Sequence, residues 1–263
     1  MAYTPQGEYE KRFCDLIQSL SSAMQPWEVW TELIAAMACS IANSVTDPAS
    51  NIYAKREEEY LKAVKTLGSA DAAAEAFAIV IEALDANPEQ DFLGKLYMVL
   101  GLGDHWKGQV FTPYNLSALN AMVAIEKVPE QVAENGWIAV NDCAVGGGAM
   151  LIGAANAIRK QGVNYQNHVL FVGQDISRTT GMSAYIQLSL LGCPGYIVIA
   201  DSLTNPIVGD PLLPCPKEGQ EYWFTPMYYS GIWYGRRQVK RMDMAVKTLS
   251  GGERGDLSGA AGA

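Results

Sequence analysis

Three acidic residues in the second half of the sequence each come shortly after an apolar run that predicts a β-strand. They are Asp142, Asp175 and Asp201, and the runs before them cover 137–141, 169–172 and 196–200. The carboxyl ends of parallel strands meet at one edge of a sheet, so we expect the three carboxylates to line a single cleft. Carboxylates there can accept hydrogen bonds from an ammonium, from the hydroxyls of a ribose and from an adenine amino group. The pattern favours a site for a nucleoside that carries an amino-acid tail.

Three consecutive glycines, Gly146, Gly147 and Gly148, stand between the first predicted strand and the helix after it. Glycine lets the backbone turn sharply and lets a ligand approach without a Cβ in the way. The same glycines could form only a tight turn, and each aspartate could be only a helix N-cap. The spacing is not G-x-G-x-x-G, which disfavours a dinucleotide-binding oxidoreductase. Three acids in succession favour the ligand site.

The elements that must position these residues alternate in type. Helices are predicted over 149–161 and 178–191, between the strands. Alternation of strand and helix indicates a parallel sheet with right-handed crossovers.

Residues 8–100 show a different pattern, with apolar side chains at helical spacing, as in Phe13, Leu16 and Ile17. This spacing predicts an all-helical layer ahead of the sheet. The predicted organisation is a helical N-terminal region over 1–104, a ligand-binding α/β domain over 105–249 and a disordered Gly/Ala/Ser-rich tail over 250–263.

Composition excludes several classes of protein. A net charge of −9 argues against a broadly basic surface that coats nucleic acid, although the basic cluster over 236–247 could meet phosphates or form a solvated helix face. No apolar stretch approaches the roughly 20 residues of a membrane-spanning helix, and the polar N-terminus does not resemble a secretory signal. Five scattered cysteines and two histidines predict neither a disulfide framework nor a metal site. We therefore expect a cytoplasmic protein with reduced thiols and no membrane association.

Several segments occur in an order that is specific as a set. They are Leu93-Gly94-Lys95-Leu96-Tyr97, Gly108-Gln109-Val110-Phe111-Thr112-Pro113-Tyr114, Asp142 with its glycines, and Tyr185-Ile186-Gln187-Leu188-Ser189-Leu190-Leu191-Gly192. On these motifs the stretch 94–203 resembles the adenine-N6 DNA methyltransferases, specifically the modification subunits of type I restriction systems. The resemblance implies an α/β fold, a Rossmann-like methyltransferase sheet with an all-helical N-terminal region. The segment after Asp201 is short for the last strands of a complete sheet. A truncated version of the methyltransferase sheet is therefore one of the expected forms.

The resemblance also implies contacts to S-adenosylmethionine as the cofactor. In the family the Phe-Thr-Pro turn contacts the methionine end, and the first acid and its glycines wrap the same tail. The second acid holds the ribose, and the third faces the adenine. The residues assigned in this way are Phe111, Thr112, Pro113, Asp142, Gly146, Gly148, Asp175 and Asp201.

The sequence departs from the family at the catalytic signature, Asn/Asp-Pro-Pro-aromatic after a fourth strand. An exocyclic adenine amine is a poor nucleophile, so two carbonyl oxygens must accept its hydrogens while an aromatic ring stacks on the flipped base. No such tetrapeptide occurs here. The nearest candidates are Asn205 with Pro206, which lack the second proline, and the aromatic residues Phe224 and Tyr228, which lack a neighbouring amide.

Two hypotheses of different class follow. The first is an S-adenosylmethionine-dependent DNA methyltransferase that acts on the exocyclic amine of adenine, with DNA as its partner. A protein partner or a second copy would then complete the fold or the recognition of DNA. The second is a catalytically inactive relative that serves as a cofactor-binding, interaction or regulatory module.

Overall fold

The computed structural model describes residues 5, 7–22, 24–102 and 112–252, with side chains through 248. The first helices form the N-terminal layer that apolar spacing predicts: α1 (Glu8–Leu20), α2 (Pro26–Asn43), α3 (Asn51–Leu67), α4 (Ala70–Ala86) and α5 (Phe92–Val99). Short polar residues begin three of them, since the side chains of Ser50, Ser69 and Asp91 accept backbone N–H groups at the starts of α3, α4 and α5.

Strands and helices alternate in the rest of the chain. The helices are α6 (Tyr114–Ala124), α7 (Val128–Asn135), α8 (Ala149–Lys160), α9 (Tyr165–His168), α10 (Arg178–Leu190) and α11 (Gly231–Gly252). The strands are β1 (Ile138–Asp142), β2 (Val169–Asp175), β3 (Gly195–Ile199), β4 (Gly209–Asp210), β5 (Leu213–Pro214) and β6 (Glu221–Phe224). A 3-10 helix over Pro226–Tyr229 precedes α11. The predicted α/β fold with a Rossmann-like sheet and an all-helical N-terminal region is confirmed.

The described residues form a four-stranded sheet in the order β1-β2-β3-β6. The first three strands are parallel, and β6 runs antiparallel to β3. In this register Asp142 lies opposite Gly173, and Asp175 lies opposite Ile199. The three carboxyl ends therefore share one edge of the sheet, and β6 closes the far side of β3.

The two faces of the sheet belong to different cores. Phe171 and Ile197 point into a core that continues through α8 and α10 to α2 of the helical layer, where Trp30 and Leu33 are buried. Leu170, Val172, Tyr196 and Val198 point the other way, toward Tyr228 and Trp233. Alternate side chains of a strand face opposite sides, so two covered faces explain why these strands are continuously apolar.

The end of the chain is more helical than the sequence predicts. Helix α11 continues to Gly252, so the first residues of the expected disordered tail extend this helix, while 253–263 lie outside the described residues. Among the described helices, none combines the length and apolar character needed to cross a bilayer.

Candidate functional site

The first two predicted acids meet at the carboxyl edge of the sheet. Asp142 ends β1 and Asp175 ends β2, and burial, together with the nearby charge of Asp175, raises the pKa of the Asp142 carboxyl. None of the ion pairs formed by the described side chains involves either residue. Two neighbouring carboxylates without a paired cation form a site that favours a positively charged ligand group.

Asp142 begins the glycine turn. Its Oδ1 accepts the backbone N–H of Ala144 at 3.0 Å, which folds the chain back immediately after β1. Burial raises the pKa of the Asp142 carboxyl most, the repulsion from Asp175 adds to it, and the Ala144 hydrogen bond opposes both. An ammonium group bound beside Asp142 would relieve the cost of burying this charge.

Asp175 holds two parts of the site through backbone amides. Its Oδ2 accepts from the N–H of Gly146 at 2.9 Å, and its Oδ1 accepts from the N–H of Ser177 at 2.8 Å. The first bond fixes the glycine turn beside the strand, and the second shapes the entry into α10. Each carboxylate oxygen has a further lone pair, so these bonds leave acceptor capacity for ribose hydroxyls.

Asp201 lies two residues beyond the end of β3, half-buried at the same edge and immediately before an exposed turn. Its Oδ1 accepts the N–H of Leu203 at 2.9 Å, and this bond, with Thr204, lowers the pKa of the Asp201 carboxyl. The adjacent Leu203 side chain is 90% exposed. The sheet thus brings Asp142 and Asp175 together at its carboxyl edge, and Asp201 follows β3 at the same edge. We call this edge, with its three acids, the rim.

The Phe-Thr-Pro turn is only partly described. Phe111 lies outside the described residues, while Thr112 and Pro113 are exposed and Pro113 is the N-cap residue of α6. The role of this turn in cofactor binding remains a prediction.

The glycines of the turn are required by backbone conformation and by packing against protein. Gly146 and Gly148 have φ values of 53° and 100°, which residues with a Cβ rarely adopt. A Cβ on Gly147 would approach Asp91 Oδ2 to 3.2 Å, and one on Gly148 would approach Ala184 to 3.3 Å. The glycine turn therefore packs closely against the start of α5 and against α10.

Gln187 of α10 connects the glycine turn to the start of α5. Its Nε2 donates to the carbonyl of Gly147 at 2.8 Å and to Asp91 Oδ1 at 2.7 Å, and its Oε1 accepts the N–H of Leu93 at 3.1 Å. Burial raises the pKa of the Asp91 carboxyl, opposed by the Gln187 and Gly94 hydrogen bonds. All three elements meet at one amide that is fully buried, so Gln187 fixes the position of the turn.

A model of the N-6 DNA methylase family matches residues 90–242, more than half of the chain. The chain belongs to this family. The match begins next to Asp91 and spans the glycine turn, the three acids and the first half of α11, so it contains the whole of the rim described above. The family predicted from the sequence motifs is confirmed.

Solved structures that are similar to this chain include methyltransferases of two bacteria. One is the methyltransferase subunit of a type I restriction-modification system from Streptococcus thermophilus, with 15% identity, coverage of 75% of this chain and 59% of that chain, and a TM-score of 0.38. Another is described as a class I S-adenosylmethionine-dependent methyltransferase from Listeria monocytogenes, with 15% identity, coverage of 88% and 77%, and a TM-score of 0.41. The chain thus spans 59% of the length of the Streptococcus subunit. No curated protein matches the chain.

Asn205, the amide candidate for the catalytic signature of this family, forms hydrogen bonds with other groups of the protein. Asn205 Nδ2 donates to the carbonyl of Glu218 at 3.0 Å, and the carbonyl of Asn205 accepts from Gln174 at 2.9 Å. The carbonyl of Pro206 accepts from Lys217 Nζ at 2.9 Å. These bonds hold the loop after β3 together, so Asn205 and Pro206 act as loop-forming residues in the structure.

The aromatic candidates lie at the other end of the sheet. Phe224 pairs with Tyr196 near the amino end of β3, because β6 runs antiparallel and only its first residue, Glu221, reaches Ile199. Tyr228 is buried on the second face, where its hydroxyl donates to the carbonyl of Leu212 at 2.8 Å. Neither ring lies at the edge of the sheet that holds Asp142 and Asp175, and a role of Phe224 or Tyr228 in stacking on a base stays a prediction.

Sequence reasoning gave no role to Asp91 or Gln187. Gln187 was visible as a polar residue inside the apolar run of α10, and a buried glutamine in such a run must find hydrogen-bond partners. Asp91 precedes the apolar start of α5 and has the position of an N-cap. What the pattern could not show is that the two side chains bind each other and the turn.

Proposed function

We propose that the rim of Asp142, Asp175 and Asp201 binds S-adenosylmethionine. The observation that supports it best is the pair of neighbouring carboxylates, Asp142 and Asp175, which both accept hydrogen bonds from the turn after β1 and form no ion pair with a described side chain. The amino-acid tail carries an ammonium and the sulfur is a sulfonium, so both positive groups of this cofactor suit the pair. Asp142 would take the ammonium, Asp175 the ribose hydroxyls and Asp201 the adenine amine. Thr112, Pro113 and Phe111 would lie along the methionine end.

We further propose that the chain serves the methylation of the exocyclic amine of adenine in DNA. When bound, S-adenosylmethionine supplies the methyl group on an electrophilic sulfonium. The contribution of this chain is to hold the tail by Asp142, to orient the sugar by Asp175 and to keep the turn in place through Gln187. Membership of the N-6 DNA methylase family supports DNA as the substrate. The exposed thiols of Cys143 and Cys215 suit a reducing compartment, and we place the protein in the cytoplasm.

A second function is favoured by one observation. Asn205, Phe224 and Tyr228 are all engaged elsewhere, so the described rim lacks an amide flanked by an aromatic ring. The chain alone would then bind the cofactor without transferring its methyl group, as an interaction or regulatory module.

Calorimetric titration with S-adenosylmethionine tests the cofactor proposal. Asp142→Asn removes the charge that faces the ammonium, and we expect affinity to fall by about tenfold or more, since a hydrogen bond to a charged group contributes about 1.5–3 kcal/mol. Asp85→Asn, on the exposed surface of α4, removes the same charge away from the rim and should leave affinity unchanged. Methylthioadenosine lacks the amino-acid tail and carries a neutral thioether in place of the sulfonium, so Asp142→Asn should not alter the affinity for it.

Two outcomes decide between the functions. Absence of binding by the unaltered chain would exclude both. Binding followed by incorporation of tritiated methyl groups into unmodified DNA would support the methyltransferase, whereas binding without incorporation would support the non-catalytic module.

A further inference from the structure

Helix α11 is buried along its first turns and exposed along the rest of its length. Trp233 and Arg237 hold its beginning against the protein, and both side chains are buried. From residue 241 to residue 248 every residue is exposed, so for more than two turns no side of the helix is buried. A helix of this length is only marginally stable in water without a packed face. We therefore expect another surface to pack on the exposed half of α11.

Apolar residues of α11 repeat with the period of a coiled coil. They are spaced alternately by three and four residues, which places them at the a and d positions of a heptad and on one face of the helix. The set consists of Ile232, Gly235, Val239, Met242 and Val246, and we call it the α11 stripe. Its four larger side chains are between 41% and 67% exposed.

The α11 stripe faces away from the rest of the protein. Trp233 and Arg237 occupy the b and f positions of the same heptad, which lie nearly opposite the a and d positions on a helix. A Cβ added to Gly235 would meet no atom within 4 Å. The stripe is therefore open to a second helix along its length.

Two charged residues, Arg236 and Asp243, flank the stripe on the same side, at successive e positions. None of the ion pairs formed by the described side chains involves either of them. Arg236 donates to the backbone carbonyls of Asn167 and Gly136, and burial lowers the pKa of its guanidinium. A half-buried cation that binds only carbonyl oxygens gains from a carboxylate placed beside it.

The surroundings of the stripe carry little other charge that could compete. Lys240, one turn before Asp243, is already paired with Asp210 at 2.7 Å. The flank on the other side of the stripe is neutral, because its g positions are Gln238 and Ala245. One cation and one carboxylate, seven residues apart, therefore dominate the charge next to the stripe.

We propose that the α11 stripe binds the same stripe of a second copy of this chain, as an antiparallel two-helix coiled coil. In this arrangement Val239 lies opposite Met242 of the second copy, and Val246 packs into the space above its Gly235. The e positions of antiparallel helices face each other, so Arg236 of each copy lies beside Asp243 of the other. The apolar contacts and the charges thus agree on one register.

The same charges exclude a parallel pairing. In parallel helices e positions face g positions, so Arg236 would lie beside Gly231 of the second copy and Asp243 beside its Gln238. Nucleic acid is disfavoured as the occupant, because the stripe is apolar and its g flank carries no cation. The inference does not depend on the proposed function, since no residue of the rim takes part.

Sedimentation equilibrium of the full chain tests the dimer, with two methionines of α11 as a matched pair. Met242→Lys should raise the dissociation constant about a hundredfold or more, since each dimer loses two buried side chains and gains two buried charges. Met244→Lys makes the same change at an f position, 52% exposed, and should leave the dimer intact. Both methionines are exposed in the single chain, so neither change should disturb its fold. A chain that stays monomeric across micromolar concentrations, or a dimer that survives Met242→Lys, would overturn the proposal.

A disulfide measures the direction of the helices. In a background that carries Cys143→Ser and Cys215→Ser, a Gly235→Cys chain mixed with a Val246→Cys chain should form a cross-linked dimer in oxidised glutathione. Either chain alone should not, because its two thiols lie about 16 Å apart along an antiparallel pair. Cross-linking of each variant with itself would show parallel helices and refute the antiparallel register.

A charge reversal tests the flank. Asp243→Lys should weaken the dimer about tenfold or more, because it replaces attraction to Arg236 by repulsion. Asp85→Lys makes the same change in net charge on the exposed surface of α4 and should not weaken it. Equal dissociation constants in the two variants would contradict the proposed register. A monomeric chain whose affinity for duplex DNA falls in Met242→Lys would identify nucleic acid as the occupant and overturn the second copy.

Discussion

The carboxylate of Asp175 serves the protein and the proposed ligand at once. It binds the amides of Gly146 and Ser177, so its removal disturbs the turn even if no ribose is present. A loss of affinity in Asp175→Ala would therefore have two explanations. The ligand contact can be separated from the structural one by changing the ligand as well as the protein, because only directly interacting groups show coupling.

The prediction for Asp175 uses this coupling. The unaltered chain should bind the 2′-deoxy analogue of S-adenosylhomocysteine about tenfold more weakly than the parent, since the lost bond involves a charged acceptor. Asp175→Ala should bind both ligands weakly and with equal affinity, as measured by calorimetry. If the variant still discriminates between the two ligands, the ribose lies elsewhere.

The raised pKa of Asp142 gives a second prediction for a single residue, the pH dependence of cofactor binding. Burial and the neighbouring Asp175 raise the pKa of Asp142 above its ordinary value of 3.8. The ionised form attracts the ammonium, so affinity is complete above the raised pKa and falls as pH drops through it. Binding at a pH near that value should release a proton, seen as a binding enthalpy that depends on the buffer. Asp142→Asn should show neither effect, and an identical pH profile in the variant would exclude Asp142 as the partner.

At the scale of elements, the side chain of Gln187 links three segments that are distant in sequence. α5, the glycine turn and α10 each contribute a backbone or carboxylate group to Gln187. A buried amide in this position specifies one relative placement of the three elements, because any shift leaves a donor or acceptor unsatisfied.

Gln187→Met removes these hydrogen bonds while nearly conserving the volume of the side chain. It leaves the N–H of Leu93, the carbonyl of Gly147 and Asp91 with fewer partners, each at a cost of about 1–3 kcal/mol. We expect a large fall in the urea midpoint and a weaker affinity for S-adenosylmethionine. Gln18→Met, on the exposed side of α1, should change the midpoint little. An unchanged cofactor affinity in a folded Gln187→Met variant would show that the hydrogen bonds of Gln187 are not needed to position the glycine turn.

The elements show what a sequence can reveal. The parallel strands were predicted to within a few residues because each is a short β-branched run bounded by polar or glycine residues. β6 was not, since Tyr222, Trp223 and Phe224 follow a proline-rich loop and carry no alternation, being covered on both faces. For the same reason the sequence offers Phe224 and Tyr228 as candidates for stacking on a base without showing where they lie, because their position depends on an antiparallel register that local pattern does not encode. The aspartates were placed correctly at one edge because parallel topology alone determines it.

At the scale of the whole molecule, the helical layer and the sheet are held together by charge as well as by a shared core. Arg178 at the start of α10 binds Glu59 of α3 at 2.6 Å and Glu221 of β6 at 2.8 Å. Arg56 of α3 lies over the ring of Trp223, 4.6 Å from its centroid. Burial opposes the charge of the Arg178 guanidinium, but both carboxylates raise its pKa, so it stays ionised. On α11, Lys240 forms an ion pair with Asp210 at 2.7 Å.

Replacing Arg178 by Met would leave two carboxylates facing each other between the layer and the sheet. Because these side chains are 30–42% exposed, the cost should lie between that of a surface pair and that of a buried one, about 1–3 kcal/mol. Arg12→Met, which removes the pair with Glu82 at the surface, should lower the free energy of unfolding less than Arg178→Met does, because solvent screens an exposed pair. Urea unfolding followed by both far-ultraviolet dichroism and tryptophan emission measures the difference, since Trp223 lies at this junction. Equal costs for the two variants would mean that the apolar core alone joins the helical layer to the sheet.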